Sequence, residues 1–216
     1  EGQEVFKEKS IGIGRDPSDP QKIHYTYSLA TMQQIDQALN AALMAQKYWG
    51  RASVKERSTI LAKTAQLLRE RRGDLIGAMV SDTGKTVFEA DVEVSEAIDF
   101  ADFYRRNLEE ITTLEDIQWH PKGIVLVTPP WNFPCSIPAG GVLAALAAGN
   151  CVLFKPAPES VLVGWRLVQI FWEAGFNKNV LQFINCEDEP VGSQMIKDPR
   201  ISAVVLTGAT STAKLF

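Results

Sequence analysis

The chain has 216 residues, 45% of them apolar and 22% charged, with 15 Gly and 11 Pro, a profile that excludes disordered, collagenous and low-complexity polypeptides. Twenty-two Lys and Arg against 26 Asp and Glu leave a formal net charge of −4, and without a basic block to follow phosphates, nucleic acid is not an expected partner. Three cysteines without CxxC spacing argue against a disulfide framework or a metal site and fit a reducing compartment, so the cytoplasm is the expected location. No run approaches the roughly 18 apolar residues of a membrane span.

Val5 to Gly12 reads at most as an edge strand, and Gly12 to Pro20 is turn-rich. From Thr31, a plausible N-cap, Met32, Ile35, Leu39 and Leu43 recur at helical steps up to a stop at Gly50. A second helix opens with Ser53 and Glu56 in capping-box spacing, carries Ile60, Leu61, Ala65 and Leu68, and stops near Gly73. A third, around Leu75, Ile76 and Val80, ends near Gly84. A fourth runs from Val87 to Leu108 with Val87, Ala90, Val94, Ala97, Ile98, Ala101 and Tyr104 as its apolar stripe.

After His120 the period changes. Gly123 to Val127, Cys151 to Phe154, Val180 to Ile184 and Ala203 to Leu206 are short Val/Ile/Leu-rich runs that fit strands buried on both faces of a parallel sheet. Helical stretches separate them: Pro138 to Ala148, Ser160 to Ala174 with Gly175 as C-cap, and Pro190 to Lys197. The pattern predicts an α/β fold, a doubly wound, mostly parallel Rossmann-like sheet preceded by an α-helical segment. The expected division is a helical part, 1–120, packing on an incomplete dinucleotide-binding part, 121–216. Ligands of such sheets bind at the carboxyl ends of the strands, here after Val127, Phe154, Ile184 and Leu206.

Three of those ends carry chemistry. The first strand runs into Thr128-Pro129-Pro130-Trp131-Asn132-Phe133-Pro134, a stiff loop in which Asn132 either presents a fixed amide as an oxyanion donor or satisfies its own loop backbone. The second ends at Lys155-Pro156, placing an ammonium group where it binds ribose or phosphate, or else snorkels to solvent. The fourth ends at Thr207-Gly208-Ala209-Thr210, a glycine turn into a hydroxyl-rich helix start that suits a pyrophosphate or simply caps the helix. Cys151 and Cys186 sit in or just after strands and read as packing residues. Cys135 lies near the loop, with neither His24 nor His120 positioned as its base.

Taken together, TPPWNFP at Thr128 to Pro134, AALAAGNCVLFKPAPES at Ala144 to Ser160, EAGF at Glu173 to Phe176 and VVLTGATSTA at Val204 to Ala213 resemble the aldehyde dehydrogenase superfamily from about His24 to Phe216. The resemblance implies an enzyme that oxidises an aldehyde to a carboxylate with NAD, or NADP, through a cysteine thiolate. It implies that Asn132 is the side-chain oxyanion donor. Thr128, Pro129, Pro130, Trp131, Lys155, Ala157, Glu159, Gly208 and Ala209 would line the cofactor, with Lys155 on the adenosine ribose and Gly208 and Ala209 against the pyrophosphate. The helix Glu89 to Phe100 is similar to that of 1-pyrroline-5-carboxylate dehydrogenases, which make glutamate from glutamate semialdehyde in proline catabolism. In these the residues matching Glu96 and Phe133 border the substrate, while Glu93 and Asp99 are as readily solvated as functional.

The pattern also departs from the family. Pro158 stands where many NAD-dependent members carry Glu, with Glu159 one position late; Ala213 replaces the last glycine of the turn, and Cys186 a frequent cofactor-side glycine. The general-base glutamate and nucleophilic cysteine of the family are expected beyond Phe216, so this chain alone is expected to be inactive. Expected partners are a small aldehyde, further copies of the chain, through a strand at Thr112 to Pro121, and a proline dehydrogenase, fused or paired. Two alternatives stay open: another semialdehyde or aliphatic aldehyde dehydrogenase, and a non-catalytic dinucleotide-binding or structural module.

Overall fold

The structure, a computed structural model, describes residues 10–214, without the side chains of residues 211 and 212. Its N-terminal part is not purely helical. Ile11–Asp16 (β1) and Asp19–Ser28 (β2) form an antiparallel hairpin where the sequence suggests a turn-rich stretch. Gly12 and Gly14 signal not turns but close packing: they pair with Tyr27 and Tyr25, and a Cβ on either would lie 2.2 Å from the facing ring. The tyrosines thus shield bare glycine backbone across the strand pair. Of the edge strand expected from Val5, residues 5–9 lie outside the described residues.

Four helices follow: Met32–Trp49 (α1), Val54–Glu70 (α2), Arg72–Thr83 (α3) and Val87–Ile111 (α4). Thr31 caps α1 in a full capping box with Gln34, Ser53 caps α2, and Thr86 with Glu89 makes a second box on α4. Gly73 does not stop α2. Arg71 does, and Gly73 falls inside the first turn of α3. Gly84, at φ +70, closes α3 in the left-handed conformation that glycine adopts without strain. Leu43, expected on the buried face of α1, is 40% exposed.

Ile124–Thr128 (β3), Cys151–Phe154 (β4), Leu181–Phe183 (β5) and Ile201–Leu206 (β6) form one parallel sheet in the order β5-β4-β3-β6. Ser136–Ala147 (α5) joins β3 to β4 and Val161–Ala174 (α6) joins β4 to β5. The last expected helix is shorter, a π-helical turn at Asp188–Gly192 leading into Ser193–Ile196 (α7). Thr210–Ala213 (α8) begins after β6.

A single apolar core runs through helices and sheet, from Ile35 and Leu39 through Leu61, Met79 and Val94 to Leu126, Leu143, Phe154 and Phe171. Two amides register the parts. Gln46 of α1 accepts from the Cys151 amide at 2.8 Å and donates to the Gly149 carbonyl at 2.9 Å. Asn150 accepts from the Lys122 and Gly123 amides at 2.7 and 3.0 Å, fixing the start of β3. Much of the Ala144 to Ser160 motif is therefore scaffold. Thr112 to Pro121 pairs with no strand among the described residues, and Leu114, Ile117 and Trp119 stand about half exposed.

Candidate functional site

The chain winds β3, β4, β5 outward and then returns across β3 to lay down β6, so the order reverses between β3 and β6. A crevice opens at such a switch point, outside the carboxyl ends of the strands. Thr128 stands on one side of it, its Oγ1 buried and without a hydrogen-bond partner. The Thr207 amide, on the other side, donates to the Thr128 carbonyl at 3.4 Å. Gly208 and Ala209 are exposed, and a Cβ on Gly208 would meet nothing within 4 Å. That leaves bare backbone facing the crevice.

Pro129 is buried and Pro130 half-buried, after which Trp131, Asn132 and Phe133 come out to the surface. Asn132 makes no hydrogen bond among the described residues. Its amide is therefore not spent on its own loop. The loop is held from below by Glu93 of α4, which is 1% exposed and accepts from the Cys135 and Ser136 amides at 2.9 and 3.1 Å. Those are free N–H groups at the start of α5, where a carboxylate also meets the positive end of the helix. The other Glu93 oxygen pairs with Lys85 Nζ at 2.8 Å, and the same ammonium lies 4.6 Å from the centroid of the Phe133 ring. Glu96, one turn along α4, is exposed, and its charge acts on the Cys135 thiol.

At the end of β4, the Lys155 amide donates to the Val127 carbonyl at 3.0 Å, and its side chain, 12% exposed, reaches Asp188 Oδ1 at 2.7 Å. Ala157 is half-buried, while Pro158 and Glu159 form an exposed 3-10 turn ahead of α6. A recess of about 90 Å³ opens here, lined by Tyr27, Lys155, Pro158, Asn185, Cys186 and Asp188, and Asn185 Oδ1 is buried there without a partner. An ammonium group, an orphaned hydroxyl, an orphaned amide oxygen and an open glycine turn along one sheet edge are the donors and acceptors that a dinucleotide uses, so the residues fit that group.

The N-terminus of α6 is occupied too. Asp82 of α3, 7% exposed, accepts from the Leu162 and Val163 amides at 3.0 and 3.2 Å and from the Tyr25 hydroxyl at 2.6 Å. Burial raises the Asp82 carboxyl above the ordinary carboxylate range, against the pull of these hydrogen bonds, and burial followed by the Asp82 contact raises Tyr25. With carboxylates on the amides that open α5 and α6, neither helix start admits a phosphate, which leaves the β6–α8 turn. Asp82→Ala strands a buried hydroxyl and two amides, and is expected to lower unfolding free energy by about 2–4 kcal/mol, read by urea unfolding.

Sequence reasoning passed over Lys85, Asp82 and Tyr25, and left Glu93 evenly balanced between solvated and functional, whereas it is buried. The signal for the two acids was present: Glu93 falls between Ala90 and Ala97, and Asp82 follows Leu75, Ala78 and Met79, both at core spacing on their helices. A carboxylate on an apolar stripe points to a buried partner.

All three cysteines are free and buried. Burial, then the Glu93 and Glu96 charges, raise the Cys135 thiol; burial pushes Cys151 up to about 12 and Cys186 up to about 11. At neutral pH all three stay protonated and weakly nucleophilic. Iodoacetamide at pH 7.5 is expected to leave them unlabelled in the native protein and to label them once denaturant is added, read by peptide mapping.

Residues 13–216 match the aldehyde dehydrogenase family. The chain is 36% identical over 200 residues to the bifunctional protein PutA of Salmonella typhimurium, an alignment covering 93% of this chain and 15% of that protein. To the 1-pyrroline-5-carboxylate dehydrogenase of Staphylococcus saprophyticus it is 32% identical over 221 residues, 98% of this chain and 43% of the other. Among solved structures, a Thermus 1-pyrroline-5-carboxylate dehydrogenase with bound NAD superposes with a TM-score of 0.92 at 33% identity, over 99% of this chain and 44% of that one. The chain thus spans less than half the length of these relatives. With the family matched over residues 13–216 and the fold shared with these solved structures, this chain belongs to the aldehyde dehydrogenase family.

Proposed function

We propose that the chain forms the dinucleotide side of an NAD-dependent dehydrogenase that oxidises glutamate semialdehyde, in equilibrium with 1-pyrroline-5-carboxylate, to glutamate. The observation that carries this reading is the Asn132 amide, exposed and unspent beside the switch point on a loop anchored by a buried carboxylate. Such a donor stabilises negative charge on an aldehyde oxygen as a nucleophile adds to the carbonyl. The nicotinamide, when bound, supplies the hydride acceptor. Lys155 holds the adenosine ribose. Thr128 and the 129–131 segment line the nicotinamide side, Ala157 and Glu159 border the adenosine, and Gly208 and Ala209 let the pyrophosphate approach backbone. Residues 1–120 brace this half, and the nucleophilic cysteine comes from chain outside these 216 residues.

Support for the substrate comes from the relatives named 1-pyrroline-5-carboxylate dehydrogenase and proline utilization A, and from the exposed Glu96 carboxylate, one turn along α4 from the Glu93 that holds the Asn132 loop, which on this reading meets the ammonium group of the open-chain semialdehyde. A cytoplasmic homo-oligomer, fused to or paired with proline dehydrogenase, is the assembly this reading favours. The test is NADH formation by the full-length polypeptide with 1-pyrroline-5-carboxylate and with aliphatic aldehydes. Preference for the former, with a raised KM in Glu96→Ala, is expected; equal turnover of aliphatic aldehydes would assign the protein to another aldehyde substrate.

One observation favours a second reading, a non-catalytic dinucleotide-binding module: no cysteine of this chain is both accessible and activated. The full open reading frame separates the two. An E-x-G-G segment followed by a cysteine in a Gly-Gln-x-Cys-like context supports the enzyme, and the lack of both supports the module.

A further inference from the structure

Lys155 is the most enclosed cation at the strand ends, yet its partner is not. The Asp188 side chain is 81% exposed and comes from the segment after β5, while Lys155 comes from the end of β4. The pair therefore bridges two neighbouring strand ends at the mouth of the recess described above, and both partners line it. Asp188 lies in an unbroken acidic run, Glu187-Asp188-Glu189, all three exposed. Across the recess the charges of Glu187 and Glu159 both act on the half-buried Tyr27 hydroxyl, so these acids face a common space. One largely enclosed ammonium group is thus set against several carboxylates.

This arrangement has a definite preference among ligands. The 2′,3′-diol of a ribose both accepts and donates hydrogen bonds, so it can accept one from the Lys155 ammonium while donating one to the Asp188 carboxylate. A 2′-phosphate only accepts and carries up to two negative charges. It would have to displace Asp188 from Lys155 and then sit among the remaining acids.

We infer that Asp188, paired with Lys155, reads the free 2′-hydroxyl of the adenosine ribose and makes the site selective for NAD over NADP. The inference rests on the proposed dinucleotide site and adds the discriminating residue to it. Glu159 and Glu187 act only through their charge, as a fence around the same recess.

The experiment is equilibrium binding of NAD and of NADP to the full-length polypeptide by isothermal titration calorimetry, for the wild type, Asp188→Ser and Asp188→Arg. Asp188 is solvent-exposed, and thermal unfolding checks that the variants keep the fold. The wild type is expected to bind NAD at least about tenfold tighter than NADP, which corresponds to about 1.4 kcal/mol. Asp188→Ser narrows the ratio by weakening NAD and strengthening NADP, and Asp188→Arg reverses it. Raising the salt concentration shrinks the wild-type preference, because the discrimination is electrostatic at an exposed carboxylate. Equal wild-type affinities, or a ratio unmoved in both variants, overturn the assignment of Asp188 and leave the dehydrogenase reading intact. Binding of neither nucleotide, with no NADH formed from any aldehyde, overturns both.

Discussion

Replacing Glu93 by alanine is expected to lower the unfolding free energy by about 3–5 kcal/mol, the usual cost of removing one partner of a buried ion pair. Three groups lose their acceptor at once: the Cys135 and Ser136 amides and the Lys85 ammonium, whose side chain is 14% exposed. Besides Glu93, the Lys85 ammonium meets the Phe133 ring, which has no lone pair to offer, and the more distant charge of the exposed Glu89. Glu93→Gln separates the contributions. Its amide oxygen can keep both helix-start bonds, which meet at one oxygen of Glu93, while the ion pair is lost, so a cost of roughly half is expected. Urea unfolding of the two variants reads the difference. A Glu93→Ala cost below about 1 kcal/mol, the level of an exposed ion pair, would mean that the carboxylate is not the anchor of this loop.

Asn132→Ala is expected to leave stability unchanged, because the side chain is exposed and makes no hydrogen bond among the described residues. In the full-length enzyme it is expected to lower kcat by about 10²–10³, the loss found when one oxyanion-hole donor is removed. Steady-state kinetics with a saturating dinucleotide reads it, and KM for the aldehyde should move far less than kcat, since the bond is strongest in the transition state. A large stability loss with intact turnover would assign Asn132 to the scaffold instead. Together with Glu93 this makes a graded pair of perturbations: one removes the donor, the other loosens the loop that aims it.

The parallel sheet was legible from sequence because its strands read as unbroken Val/Ile/Leu runs; β3 up to Val127 and all of β4 are buried as that pattern implies, whereas β6, expected to be buried on both faces, is half-buried to exposed, with Val204 and Val205 at 37% and 39%. The helices were legible because Thr31, Ser53 and Gly84 mark their ends by local chemistry. The hairpin was not, since Gly12 and Gly14 have the composition of a turn, and only the tyrosines facing them show that bare backbone is wanted. The strand-end positions of Asn132 and Lys155 followed from the sheet pattern. Their partners did not, because Glu93 lies about forty residues before the amides it holds and Asp188 about thirty after the lysine it meets. Contacts of that range depend on how helices and strands dock, which periodicity within a single element does not encode.

The central claim is that the carboxyl edge of β3, β4 and β6 is a dinucleotide site. A crystal structure of the full-length polypeptide with NAD tests it most directly. The account predicts the adenosine ribose against Lys155 and Asp188, the pyrophosphate over Gly208 and the nicotinamide beside Thr128 and the loop that carries Asn132. NAD bound at any other face, or a crevice that stays closed to it at saturating concentration, would contradict the claim.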